Sequence, residues 1–360
     1  MFFTQSPNHG EHPSPSTGSS LFCLAYNRIV LPGRAGAILA VVSLLPGCAS
    51  FSPLQTALPY EKVRSVVYDN DEVVDVYTDE YVMALAAAGD IHLNGLTTSS
   101  SVAPYNRWVT PESYERMVGD RSKSIDLVRG MGWSHIPDPI RGPNRHLERP
   151  SSDRIEDTQS ISSAGSWLVV HEAKKATPAT PLVLVMGGPL TLVADAYLLD
   201  PSIADRVVVM WLGGRFDDMA DYNGWADPWS AYIVLQRLSL VQFPVMMAPP
   251  FVPKQRLASD LPESALRNWM IKKQLHTDVN APGDYDGDGP PAIAVMRSDY
   301  VVETKRVSFS HWERLADDVD PHEIPVFKDD PQGKTIVVTK ANAAVATEEW
   351  WRALRRVLLN

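Results

Sequence analysis

Only two cysteines, Cys23 and Cys48, occur in 360 residues, and both fall within the first fifty. The remainder has no disulfide framework, and a domain of about 300 residues does not need one because its core is large enough to hold it. Basic side chains are outnumbered, 33 against 43 acidic, for a net charge of −10. Such a surface repels a phosphate backbone, and no Lys/Arg-rich stripe offsets it, so nucleic acid is excluded as a partner. No apolar run is long enough to span a bilayer permanently. Cys/His spacings of the zinc type and internal repeats are also missing. With 44% hydrophobic and 21% charged residues, the bulk of the chain reads as globular.

The first 60 residues differ from the rest. They open with a Pro-, Ser- and Gly-rich stretch that reads as disordered. Arg28 and Arg34, the apolar run from Ala35 to Leu45, and Leu45-Pro46-Gly47-Cys48-Ala49-Ser50 then follow the layout of a secretory signal. Leu45 three residues ahead of Cys48, with small Gly47 between them, resembles the lipobox of bacterial lipoproteins. That resemblance implies acylation of Cys48 and an exported, periplasmic or membrane-anchored protein that touches the membrane only through its lipid. Pro46 is atypical there, and an ordinary signal peptide is the competing reading. Residues 61–360 form the expected folded domain.

From Lys62 onward, strand-like and helix-like runs alternate, which predicts parallel β-α-β units. Strands are expected over Arg64–Tyr68, Ile91–Thr97, Leu182–Met186, Val207–Leu212, Phe243–Met247 and Thr335–Thr339. Helices are expected over Asp79–Ala88, Glu112–Gly130, Ala164–Ala176, Leu190–Leu199, Pro228–Leu238 and Glu348–Leu359. The strand runs are almost continuously apolar, as when helices cover both faces of an open, mostly parallel sheet. Residues 133–160 read as a long loop that could close over the ligand-binding edge.

Chemistry concentrates where the first strand ends. Asp69, Asp71, Asp75 and Asp79 lie within eleven residues, although one acidic residue suffices to cap the following helix. Carboxylates so crowded repel one another unless a cation joins them, and they sit at the strand edge where α/β sheets bind ligands. Oxygen-only donors favour calcium or magnesium over zinc. A solvated acidic loop is the bland alternative.

Several stretches, in order, resemble the inosine/uridine-preferring nucleoside hydrolase family. Asp69-Asn70-Asp71 through Thr78-Asp79-Glu80 is similar to its D-x-D-P-G-x-D-D motif with about three extra residues. Gly187-Gly188-Pro189-Leu190-Thr191, with Ala194 and Leu199-Asp200-Pro201, is similar to its G-P-L-T-N segment. Met210–Gly214 is similar to its M-G-G strand end, and Ala220-Asp221-Tyr222-Asn223 with Asp227-Pro228 to its A-E-F-N…D-P stretch.

The resemblance implies a calcium ion held by Asp71, Asp79, the backbone carbonyl of Thr191 and Asp288, with Asp71 also taking the proton of the attacking water. It implies sugar contacts from Asn223, Asp221 and Asn106, a nucleoside or related riboside as substrate, and association of copies into homo-oligomers. Hydrolysis of an N-glycosidic bond passes through an oxocarbenium-like state that carboxylates stabilise. For Asn106 and Asn223, a plain turn role is the competing reading.

Asp284-Tyr285-Asp286-Gly287-Asp288-Gly289 also matches the first half of an EF-hand loop, but Val295 stands at the twelfth position where a glutamate is needed. Asp286 is therefore the fallback ligand beside Asp288. Trp108, Trp133, Trp211, Trp225 and Trp229 lie near these segments and read mainly as packing residues. Three departures stand out: Thr78 replaces an aspartate, Leu192 replaces an asparagine, and no histidine precedes Asp288. They keep open a second reading, a catalytically silent calcium-dependent carbohydrate-binding or scaffold protein of the same fold.

Overall fold

The computed structural model describes residues 63–71, 77–103, 106, 109–274, 282–314 and 323–359. Cys48 with the whole leader, Asp75 and Trp108 lie outside the described residues.

β1 (Arg64–Asp69) is followed by α1 (Thr78–Ala87), β2 (Ile91–Thr98), α2 (Pro111–Gly130), β3 (Pro139–Arg141) and α3 (Ala164–Lys175). Then come β4 (Leu182–Met186), α4 (Thr191–Leu199), β5 (Val207–Leu212), α5 (Tyr222–Ala226), α6 (Pro228–Arg237) and β6 (Ser239–Phe243). The carboxyl part comprises β7 (Phe251–Pro253), α7 (Lys254–Asp260), α8 (Ala265–Gln274), β8 (Gly283–Tyr285) and α9 (Gly289–Met296). β9 (Val301–Arg314), β10 (Glu323–Asp329), β11 (Thr335–Ala341) and α10 (Ala343–Leu358) complete it.

Nine strands form one sheet in the order β10-β9-β11-β6-β5-β4-β1-β2-β3. In this sheet β3, β2, β1, β4, β5, β6 and β11 run parallel, and β9 is inserted antiparallel between β11 and β10, pairing antiparallel with both. The expected open, mostly parallel α/β sheet is therefore what forms. Alternation of side chains along the strands splits the core in two. Val66, Tyr68, Val183, Val185, Val208, Met210 and Leu212 pack under α1, α9 and α10. Val67, Leu182, Leu184, Met186, Val207, Val209 and Trp211 pack against α3, α4 and α6. Each such Val or Leu contributes about 1.5–3 kcal/mol relative to exposure. Among the described residues, no helix is long and apolar enough to cross a membrane.

Several elements depart from the sequence reading. β6 ends at Phe243 rather than starting there, because Pro244 has no N–H for the ladder. β9 and β10 are long strands the sequence reading lacks; most of β9 faces solvent, so its apolar signal is faint. Within the expected 133–160 loop, β3 joins the sheet edge while Leu147 and Ile155 are buried in the core, so this part of the segment is packed against the body of the domain.

The order of the strands matters for function. Chain connections leave β1 toward β2 on one side and reach β4 on the other, which makes the β1–β4 junction the switch point of the sheet. Open α/β sheets bind ligands there, beyond the carboxyl ends of the strands.

Candidate active site

β1 delivers its acidic end to this junction because its backbone is gripped on both sides past the last strand residue. Asn70 N–H donates to the Thr97 carbonyl at 3.3 Å, and Gly187 N–H to the Asp69 carbonyl at 2.8 Å. Glycine is needed at the end of β4 by close approach. A Cβ on Gly187 would meet Asn70 and the Asp288 Oδ2 at 2.9 Å, and one on Gly188 would meet the Asp71 side chain at 3.1 Å. Two successive glycines thus admit Asp288, from the start of α9, against Gly187 and Asp71, from beyond β1, against Gly188 at the switch point. Both carboxylates are buried. Asp288 occupies the N-cap position of α9, yet its side chain does not cap that helix.

Asp69 and Asp79 stand on the β2 side. Asp69 Oδ1 accepts from Thr97 Oγ1 at 2.7 Å and Ser99 Oγ at 2.8 Å, and burial pushes its pKa up to about 6. Asp79 lies in the first turn of α1, where a negative charge suits the helix dipole. Its Oδ2 and Oδ1 accept from Nε and Nη2 of Arg121 at 3.1 and 3.0 Å. Arg121, from α2, is fully buried; its Nη1 donates to the Thr97 carbonyl and to Thr98 Oγ1, and its guanidinium lies 5.3 Å over the Tyr68 ring. The Tyr68 hydroxyl accepts from Asn70 Nδ2 at 2.8 Å. Burial raises its pKa, and the charges of Asp79, Arg121 and Asp288 all act on it, so these three groups share one neighbourhood.

The β5 side supplies amides and hydroxyls. Asn223 Nδ2 donates to the Gly187 and Leu212 carbonyls at 2.8 and 2.9 Å, clamping the ends of β4 and β5 together. Asn106 Nδ2 donates to the Ser101 carbonyl at 2.8 Å and to the Tyr222 hydroxyl at 3.4 Å. Burial, then the charge of nearby Asp71, raises the Tyr222 pKa. Asp221 caps α5 through Gly224 N–H at 2.9 Å, and burial lifts its carboxyl to about 6. Thr191 Oγ1 donates to Asp227 Oδ2 at 2.7 Å, and Asp227 also receives the N–H groups of Leu147 and Ser230.

The expected ligand set is therefore divided. Asp288 lies against Gly187 and Asp71 against Gly188, while both oxygens of Asp79 are forked by Arg121. Among the described residues, no three His, Cys, Asp or Glu side chains form a ready-made metal cage. Asp71 and Asp288, both buried carboxylates against adjacent glycines at the end of β4, are oxygen donors of the kind that suits a hard divalent cation. Asp286 is committed elsewhere: it accepts from the Thr78 hydroxyl and from Trp350 Nε1, tying α1 to α10. Two departures noted in the sequence thereby gain a structural reason, since Thr78 serves that bond and Leu192 is wholly buried in the core. Trp211 and Trp229 are core residues whose Nε1 atoms bond Gly188 O and Thr158 Oγ1, whereas Trp225 packs edge-on against Tyr222.

Arg121, Tyr222 and Asp227 were not foreseen as site residues. A signal for Arg121 existed: it shares a helix face with buried Tyr114, Met117, Ser124, Ile125 and Val128. A charge on an apolar helix face needs a buried partner.

Fold and site together define a Rossmann-like α/β enzyme with an acidic centre at the sheet's switch point. The family model for inosine-uridine preferring nucleoside hydrolases matches residues 66–346, and the chain belongs to that family, a metal-dependent class of enzymes that cleave N-ribosidic bonds. Among solved structures, a purine-preferring ribonucleoside hydrolase from Gardnerella vaginalis is similar at TM-score 0.59 and 15% identity, covering 82% of this chain and all of its own. A plant nucleoside hydrolase (PpNRh1) gives 0.57 and 14%, covering 83% and 100%. The inosine-uridine preferring enzyme from Bacillus anthracis gives 0.54 and 13%, covering 82% and 99%. At these identities the likeness speaks for the fold. No curated protein matches the sequence.

Proposed function

We propose that this chain hydrolyses the N-glycosidic bond of a nucleoside or related riboside at the β1–β4 switch point, with calcium as its ion. The observation that carries this reading is the seating of Asp71 and Asp288 against Gly187-Gly188 inside the family's fold. A divalent ion bound there supplies positive charge that acidifies a water and orients sugar hydroxyls. Asp71 accepts the water's proton as general base. Asn223, with its N–H groups spent on two carbonyls, offers its Oδ1 to a sugar hydroxyl. The Tyr222 phenol, kept protonated by burial and by Asp71, is held by Asn106 beside the base. Asp221 fixes the start of α5 and so the placement of Tyr222 and Asn223.

Purified protein is expected to release reducing sugar from at least one member of a nucleoside panel, and to lose that activity with chelator and in Asp71→Ala. Sugar-dependent thermal stabilisation with no product after long incubation would instead favour the calcium-dependent carbohydrate-binding or scaffold reading. We further propose export with lipid attachment at Cys48. Metabolic labelling with a fatty acid in a bacterial host is expected to mark wild type and not Cys48→Ser. Self-association, the last part of the proposal, is read by light scattering of the purified protein; a monomer at all concentrations would remove it.

A further inference from the structure

Arg121 has no counterpart in the chemistry proposed so far, and it stands at the acidic centre. It is fully buried in the middle of α2, and it reaches the carboxyl end of β2 and the first turn of α1 at once. Its fork consumes both oxygens of Asp79 at 3.0 and 3.1 Å, while Tyr68 supports its flat face. A carboxylate whose two oxygens both accept from one guanidinium has the lone pairs used for bidentate chelation filled, so a cation cannot take the same bite until the guanidinium leaves. The charge of Arg121 also acts on the Tyr68 phenol together with Asp288, so it belongs to the field of the whole centre.

We infer that Arg121 is the built-in counter-cation of this centre, and that a divalent ion chelates Asp79 through both oxygens only by displacing it. The inference rests on the calcium reading above and deepens it. Arg121 is thus a positioning residue: it holds the centre together without an ion and lowers the affinity for one. Like charges in a buried site oppose each other, so removing the guanidinium takes from Asp79 a buried counter-charge that calcium can supply instead.

The test measures calcium-dependent melting temperature and calorimetric calcium binding in wild type, Arg121→Met and Arg121→Lys, with calcium chloride as the titrant. Arg121→Met is expected to melt lower than wild type in chelator, to recover with calcium, and to bind the ion at least about tenfold more tightly, a change of ~1.4 kcal/mol. Should Arg121→Met not fold, Arg121→Lys decides: it keeps a charge but loses the fork, and its calcium-induced shift is expected to exceed that of wild type. Calcium affinity unchanged in Arg121→Met, or in Arg121→Lys when Met does not fold, overturns the inference. Failure of the two proposals is separable. Tighter binding in the variants without nucleoside turnover in wild type sinks the hydrolase reading alone, while calcium-dependent turnover in wild type with unaltered affinity in the variants sinks the role of Arg121 alone.

Discussion

On the β2 side of the β1–β4 junction, buried Asp79 is matched by the full charge of Arg121, whereas on the β5 side Asp227 and Asp221 are held by neutral donors. The first arrangement stores a strong mutual dependence: taking away one partner leaves a desolvated charge. The second tolerates loss of its anion more easily, because N–H and hydroxyl donors only partly offset burial and the carboxyl pKa values stay raised. Between the two flanks lies the glycine pair with Asp71 and Asp288. The centre is thus charge-balanced on one side and proton-poised on the other.

The widest effect is expected between these flanks. Asp71→Ala should lower kcat on a nucleoside by about 10²–10⁴-fold, the range for a lost general base, with a melting temperature close to wild type. An unfolded variant would mean that Asp71 serves structure instead. Next comes the charged flank: Arg121→Ala should cost about 3–5 kcal/mol in urea unfolding, and the paired change Asp79→Asn with Arg121→Met should cost less than the single one. Equal losses in the two would erase the contrast between the flanks. Gly187→Ala is expected to cost about 1–3 kcal/mol, since the added methyl meets Asn70 and Asp288 at 2.9 Å, and to weaken turnover by spreading the centre. The smallest effect belongs to the neutral flank. The folded-state pKa of Asp221, about 6, lies above its ordinary 3.8, so the native state holds the proton longer and stability falls as pH rises through roughly 4 to 6. Asp221→Asn should flatten that part of the stability–pH curve while preserving the N-cap.

Much of the sheet was legible because its central strands are apolar on both faces. Leu182–Met186 and Val207–Leu212 agree with the expected runs to the residue. β9 was not legible, as an edge-proximal antiparallel strand with exposed Glu303 and Arg306 carries little apolar pattern. The acidic cluster at the end of β1 could be read from composition alone. The partner of Asp79 could not, since Arg121 is 42 residues away and reaches it only through the packing of α2 on the sheet. Asp286 and Asp288, two residues apart, look interchangeable in the sequence. One bonds Thr78 and Trp350, and the other lies against Gly187.

The chain's own order of residues determined the parallel α/β sheet, the junction where its carboxylates gather and the glycines that admit them. These follow from local patterns of burial, backbone freedom and charge. Only the tertiary structure decided which carboxylate meets which cation. Such a pairing depends on distances of a few ångströms between side chains carried by separate elements, and Coulomb attraction in a buried site discriminates at that scale.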